Sequence, residues 1–185
     1  MTSMKERMLA GEPYRAEGPE IEADLDRAAR LAERFNTSPA ADPAARLAAL
    51  RDLLGSLGED AWVRPPFHCD YGWQTHIGAR TFVNFNAVFL DVARITIGAD
   101  VQIGPNVQLL TATHPVEAAA RRARWESAKP ITVEDNAWLG GGVIVLPGVT
   151  VGANTVVGAG AVVTRDLPPN VVAVGNPARP VRALD

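Results

Sequence analysis

The sequence predicts a mostly β chain wound into a parallel β-helix of hexapeptide repeats, with an N-terminal α-helical cap and one extended excursion loop. Two regularities carry that prediction. An apolar residue returns every six positions: at Ile77, Val83 and Phe89, at Ile97, Ile103 and Leu109, and at Val133, Leu139, Val145, Val151, Val157 and Val163. The next residue is often glycine (Gly78, Gly98, Gly104, Gly140, Gly152, Gly158), and the residue four positions on is small or β-branched (Thr81, Ala87, Val101, Val107, Ala137, Val143, Val149, Thr155, Ala161). A short fixed period is the mark of a solenoid. Each hexad gives one short strand and one corner; the apolar residue points inward, and the small one fits the tight turn. A third observation excludes the alternatives. A period of six is not the 3.6 of a helix, Val, Gly and Thr are poor helix formers, and an ordinary sheet would not hold one phase through twelve hexads.

Taken in order, residues 1–60 read as the helical cap. Residues 5–10 suit a short helix ending at Gly11. Gly18-Pro19-Glu20 starts a second helix, with proline in its first turn. Ile21, Leu25, Ala28, Leu31, Ala32 and Phe35 line one of its faces. Asp42-Pro43 starts a third, in which Leu47, Leu50, Leu54 and Leu57 recur at helical spacing and Gly55 and Gly58 lie near the stop. These faces are expected to pack on the outside of the prism. Residues 61–70 read as a lead-in, since Pro65-Pro66 forbids a helix. The β-helix is assigned to 61–170, with two residues inserted near 93–96 that move the beat from Phe89 to Ile97. Residues 115–132 lose the pattern and carry Glu117, Arg121, Arg122, Arg124, Trp125, Glu126 and Lys129. Solenoid insertions map to loops, and loops carry function. Residues 171–185 form a tail.

Charge and cysteine content narrow the function. The 185 residues carry a net charge of −3; residues 1–60 hold 8 basic and 12 acidic side chains, the remainder 10 and 9. Nothing draws such a chain to nucleic acid or anionic lipid. The single cysteine, Cys69, allows no intramolecular disulfide, which suits a reducing cytoplasm, and it reads as a packing residue. No long apolar run opens the sequence, so neither a signal peptide nor a membrane span is expected.

Three histidines, His68, His76 and His114, are the candidates for chemistry near neutral pH. His114, in Thr111-Ala112-Thr113-His114-Pro115, stands where the regular coil gives way to the excursion, and reads either as a general base within reach of a substrate or as a surface histidine that stacks or caps. With three hexads per coil, His76 and His114 share a corner two coils apart, about 9–10 Å at the strand spacing of a sheet. That is too far for one zinc, and His68 falls outside the regular coils, so no catalytic metal is expected. The same count puts His114 at the end of a hexad on one face and Asn84 at the start of a hexad on another. If both serve one site, that site joins two subunits, as in a cyclic trimer. Arg165, Arg179 and Arg182 read either as solvated surface or as a phosphate-binding edge.

The stretches YGWQTHIG, FVNFNAVFLD, TATHP, KPITVEDNAWLGGGVIVLPGVTVGANTVVGAGAVVTRDLPPN and VAVGNPARPVR, with KERMLAGEPY near the start, resemble the maltose/galactoside O-acetyltransferases and their nodulation-acetyltransferase relatives over essentially the whole chain. The resemblance implies a left-handed parallel β-helix, a homotrimer with active sites between subunits, and transfer of acetyl from acetyl-CoA to a hydroxyl of a sugar-like acceptor, without a covalent intermediate or a metal. It implies His114 as general base, Asn84 beside the reacting centre, and the Gly141 N–H as oxyanion donor. Trp138 would wall the pantetheine slot, and Ala159, Thr164, Arg165, Arg179 and Arg182 match positions that hold CoA. Asp70 matches an acceptor-binding position where the galactoside branch has serine. Ala16 and Val92 fall where that branch has carboxylates, which points to a maltose- or glucose-type acceptor. Glu126, on the acceptor side, orients the imidazole or forms a surface salt bridge. Gln74 stands where asparagine is usual and Glu134 where glycine is usual, and little is expected of either. Competing readings are the same chemistry on a nodulation oligosaccharide, serine or a xenobiotic hydroxyl, a metalloenzyme of the γ-carbonic anhydrase type, and a non-catalytic β-helix scaffold.

Overall fold

The structure, a computed structural model, describes residues 2–185. Three parallel sheets form the sides of a prism. The first face stacks Ser56–Leu57, Thr75–Ile77, Ile95–Ile97, Ile131–Val133 and Thr150–Val151. The second stacks Trp62–Val63, Phe82–Val83, Gln102–Ile103, Trp138–Leu139, Val156–Val157 and Val171–Val174, closed by the antiparallel strand Arg179–Ala183. The third stacks Phe67–Cys69, Ala87–Leu90, Gln108–Leu110, Ile144–Val145 and Val162–Val163.

The hexad beat is the packing rule of this prism. Every inward residue from Ile77 to Val163 is at most 2% exposed, and the small or β-branched residues four positions on, Thr81 to Ala161, are at most 3% exposed. A column of inward side chains two residues wide at each face leaves no room for bulk at the corners. At Gly140 an added Cβ would stand 2.6 Å from the backbone nitrogen of Ala159 in the next coil, so glycine at this corner eases the approach of the coils to strand spacing. On the outside of the corner after the first face, Asn136, Asn154 and Asn170 all adopt positive φ and donate side chain to side chain down the column at 2.8 Å per step.

The solenoid begins earlier than the sequence suggests. Residues 61–70 are most of its first coil: Trp62–Val63 pairs with Phe82–Val83, and Phe67–Cys69 with Ala87–Phe89. The coil starts at Ser56, whose strand pairs with His76–Ile77. His68 is therefore a coil residue facing outward opposite Val88. The position stacked two coils from His76 is Thr132, reached through Thr96. His114 leaves the coil before that slot, so the two histidines do not share a corner.

Among the described residues four helices accompany the prism: α1 (Met4–Leu9), α2 (Pro19–Thr37), α3 (Pro43–Leu53) and α4 (Ala118–Arg122). Ser3 and Glu6 close a capping box on α1. Asp42 caps α3 through the Ala45 N–H at 2.9 Å. Helix α3 stops at Leu53, short of the expected Leu54 and Leu57, because Leu57 is drawn into the first strand. Its buried side is Ala49, Leu50 and Leu53, which leaves Leu47 partly exposed. With Ala28 and Phe35 of α2 these residues belong to the same continuous core as the prism interior. The helices thus extend that core at its first coil as well as lying against its wall. Asn36 at the end of α2 accepts from the Phe67 N–H at 2.8 Å and donates to the Phe67 carbonyl at 2.9 Å. One amide side chain thereby satisfies an edge strand that would otherwise present bare backbone.

Candidate functional site

The excursion is not a free loop. Ala112–Thr113 and Ser127–Ala128 pair antiparallel at its base, and α4 lies between them. Arg121 ties the turn after His114 by donating to the carbonyls of Pro115 and Val116 at 2.9 and 2.8 Å. The N-terminal segment grips the returning limb. Tyr14 and Glu126 exchange backbone hydrogen bonds of 2.9 Å in both directions. The guanidinium groups of Arg7 and Arg15 lie 5.6 and 5.3 Å from the Trp125 ring. Met8, Tyr14 and Ile21 then share a small second core with Tyr71, Val92 and Ala128.

These contacts enclose a cavity of about 400 Å³. One wall is Arg15, Ala16 and Glu17 from the segment before α2. The other is His114, Arg121, Arg124 and Glu126 from the excursion. His114 is exposed there. Asp70 sits half-buried near this wall; burial, with the charges of Asp91 and Glu126, raises its carboxyl to about 6. Asp91 is fully buried, accepts from the Tyr71 N–H at 2.8 Å and the Thr75 hydroxyl at 3.0 Å, and is itself pushed up by burial. Burial and the nearby charge of Glu126 push the Tyr14 phenol up, so it stays protonated. Its Oη is buried without a hydrogen-bond partner among the described residues. A larger groove of about 670 Å³, based on Phe35, Leu50 and Val63, holds none of the candidate residues.

The remaining candidates divide between two edges of the prism. Asn84 and Gly141 lie at the corner after the second face, two coils apart, with Ala159 stacked one coil beyond Gly141. The Asn84 side-chain Oδ1 accepts from the Phe85 N–H at 2.9 Å and from Arg64 at 3.4 Å, which leaves its amide NH₂ as a donor. The turn amides of Ala99 and Ala153 are taken by Asp135 and Glu134, at 2.8 and 2.9 Å. The Gly141 N–H has no partner among the described residues. Trp138 stands outward on the second face between Gln102 and Val156, 54% exposed. Arg179 and Arg182 project from the strand that closes the same face. His114, Glu126 and Asp70 occupy the other edge, after the third face, and Thr164 and Arg165 follow the last strand there. A single chain does not bring the two groups together.

No local motif marks Tyr14, Arg15 or Glu17 in the sequence, and their place beside His114 is set by the long-range Tyr14–Glu126 pairing. Glu134, of which little was expected, caps a neighbouring turn. Gln74 is buried and donates to the Val92 carbonyl at 2.8 Å. Val92 packs in the second core and does not line the cavity. His76 hydrogen-bonds Ser56 through Nδ1 at 3.0 Å, and burial with nearby Arg94 lowers its affinity for a proton. No group of three His, Cys, Asp or Glu suited to a metal occurs among the described residues. No helix among them is long and apolar enough to cross a membrane.

Comparison with known proteins places this arrangement. Residues 7–58 match the maltose acetyltransferase hexapeptide capping motif, and residues 130–165 match the bacterial transferase hexapeptide of six repeats. Nodulation protein L of Rhizobium meliloti is 49% identical over 177 residues, covering 96% of this chain and 97% of that one. A maltose O-acetyltransferase structure from Clostridium difficile 630 superposes with a TM-score of 0.97 at 42% identity, covering 99% of this chain and 98% of that one. A hexapeptide-repeat acetyltransferase of Vibrio cholerae O1 biovar eltor, complexed with acetyl-CoA, gives 0.93 at 45% identity, with 99% of each chain covered. The chain belongs to the maltose/galactoside O-acetyltransferase family of hexapeptide-repeat proteins, and it is an acetyl-CoA-dependent acetyltransferase.

Proposed function

We propose that the chain acetylates a hydroxyl of a maltose- or glucose-type sugar, and that it works as a homotrimer with each reaction site built between two subunits. The observation that carries this reading is the division of candidates just described. An accessible histidine beside a cavity lies on one edge, and an unpartnered N–H with a free amide donor lies on another. Cyclic association is the simple way to bring unlike edges of identical prisms face to face.

In such a site the His114 imidazole takes the proton of the acceptor hydroxyl as its oxygen attacks the thioester carbonyl carbon. The carbonyl π electrons move to oxygen, where the Gly141 N–H and the Asn84 amide hold the developing charge. Collapse breaks the carbon–sulfur bond, and the imidazolium returns its proton to the departing thiolate. Arg165, Arg179 and Arg182 hold CoA phosphates, and Trp138 flanks the pantetheine arm. Asp70 and Glu126 accept from other acceptor hydroxyls. The lack of a carboxylate at Ala16, which lines the cavity, supports a maltose-type over a galactoside acceptor. A nodulation oligosaccharide acceptor, which the resemblance to the nodulation acetyltransferases implies, is the second reading. A cytoplasmic location belongs to the same proposal, since the lone cysteine can form no internal disulfide.

The test is an acceptor screen that reads the free thiol of released CoA, run beside His114→Ala. Loss of about 10²–10⁴-fold in the variant is expected of a general base. An unchanged rate, or no release of CoA with any hydroxyl compound, overturns the proposal.

A further inference from the structure

We propose that the acceptor carries a negative charge, a carboxylate or a phosphate ester, away from the hydroxyl that is acetylated, and that Arg124 receives it. The inference rests on the transferase reading above and adds the acceptor's charge to it. Three guanidinium groups and two carboxylates line the cavity beside His114. Two of these arginines are committed. Arg15 pairs with Glu17 at 2.8 Å, and Arg121 is bound to the Pro115 and Val116 carbonyls while keeping its charge. Arg124 makes no side-chain hydrogen bond or ion pair among the described residues.

Its backbone makes that absence informative. Arg124 has φ +62, a left-handed conformation that disfavours side chains with a Cβ and that glycine adopts freely. The other arginine with positive φ, Arg80 at +56, is held in a two-bond pair with Asp100 at 2.7 and 2.6 Å. Arg124 has a comparable backbone without such a partner, and it faces the cavity of the candidate base.

The exposed rim of the site carries a surplus of positive charge. Glu126 and Arg15 are half-buried, with half-buried Asp70 nearby, whereas Arg121 and Arg124 are exposed with only Glu17 as an exposed carboxylate among the lining residues. The carboxylates suit sugar hydroxyls and would repel an anion. The guanidinium groups at the mouth suit planar or tetrahedral oxyanions and gain nothing from a neutral sugar. An acceptor with hydroxyls at its inner end and an anionic group at its outer end matches both.

The test compares kcat/KM for glucose, glucose 1-phosphate, glucose 6-phosphate and glucuronate in the full-length protein, in Arg124→Gly, which suits the backbone, and in Arg122→Ala, which removes a loop charge that does not line the cavity. In the wild type at least one charged sugar should exceed glucose by about tenfold or more, and which one does separates phosphate from carboxylate. Arg124→Gly should reduce that ratio about tenfold, and Arg122→Ala should leave it in place. Glucose preferred over every charged sugar overturns the inference, as does a ratio unmoved by Arg124→Gly or lowered equally by Arg122→Ala. If glucose is acetylated and no charged sugar is, the inference alone fails. If none of the four releases CoA, the glucose-type acceptor reading fails with it.

Discussion

Replacing Gly141 by proline deletes one N–H and little else. Pro105 already fills the equivalent turn position in the neighbouring coil, and a Cβ on Gly141 would meet its ring at 3.4 Å, an ordinary contact. The Gly141 N–H has no partner among the described residues, so no hydrogen bond between them is lost. Proline at a compatible site restricts the unfolded chain, so stability should hold or rise by about 0.4–1 kcal/mol. If that N–H holds the oxyanion, kcat should fall about 10²–10³-fold, equivalent to about 2.7–4 kcal/mol. Gly140→Ala should behave in the opposite way. Its Cβ would stand 2.6 and 2.9 Å from the Ala159 nitrogen and Cα and 3.0 Å from the Val157 oxygen, all backbone atoms that cannot swing aside. Overpacking of this kind costs about 1–3 kcal/mol. For a chain of 185 residues each kcal/mol lowers Tm by roughly 2–4 °C. Thermal unfolding followed by circular dichroism, run beside CoA-release kinetics, reads both. A fully active Gly141→Pro, or a Gly140→Ala as stable as the wild type, refutes the reasoning for that glycine.

Other perturbations test the surroundings of the site. The Asp70 carboxyl titrates near about 6 in the fold against an ordinary 3.8, so the folded state holds this proton more tightly than the unfolded one. Its contribution is therefore full below about pH 4 and is lost as pH rises through 6. Asp70→Asn should be the more stable protein above pH 6, with the two melting temperatures converging toward pH 4; a constant difference contradicts the shift. Asn36→Ala removes both hydrogen bonds to Phe67 and should cost about 1–3 kcal/mol in urea unfolding, without changing KM for acetyl-CoA. Trp125→Ala frees Arg7 and Arg15 from the ring, each contact being worth about 0.5–1 kcal/mol at an exposed site. It should raise KM for the acceptor more than KM for acetyl-CoA; equal effects would remove the N-terminal grip from the acceptor site.

The coils from Ile77 onward were readable because each inward position is a one-residue decision, apolar inside and small at the corner, repeated in phase. The first coil was not, because Cys69 to Ile77 spans eight residues and Arg64-Pro65-Pro66 replaces the usual corner. The longer register of twenty, pairing Leu57 with Ile77 and then Ile97, was the signal that would have found it. His114, Asn84 and Gly141 stood out through the motifs around them. Tyr14 and Arg15 did not, since their role depends on an antiparallel contact with a loop more than a hundred residues away, which no local spacing encodes. The end of α3 differs from the helical spacing for a related reason. Leu57 continues the helical spacing, but pairing with Ile77 claims it.

The most direct test of a site shared between subunits is complementation. His114→Ala and Asn84→Ala chains are each expected to be nearly inactive. After unfolding and refolding together at equal amounts, random assembly leaves about a quarter of the sites with an intact histidine from one chain and an intact asparagine from the next. CoA release should recover to about that fraction of the wild-type rate. Activity no higher than the sum of the two parents, with mixed oligomers demonstrated by native mass spectrometry, would contradict a site divided between prisms.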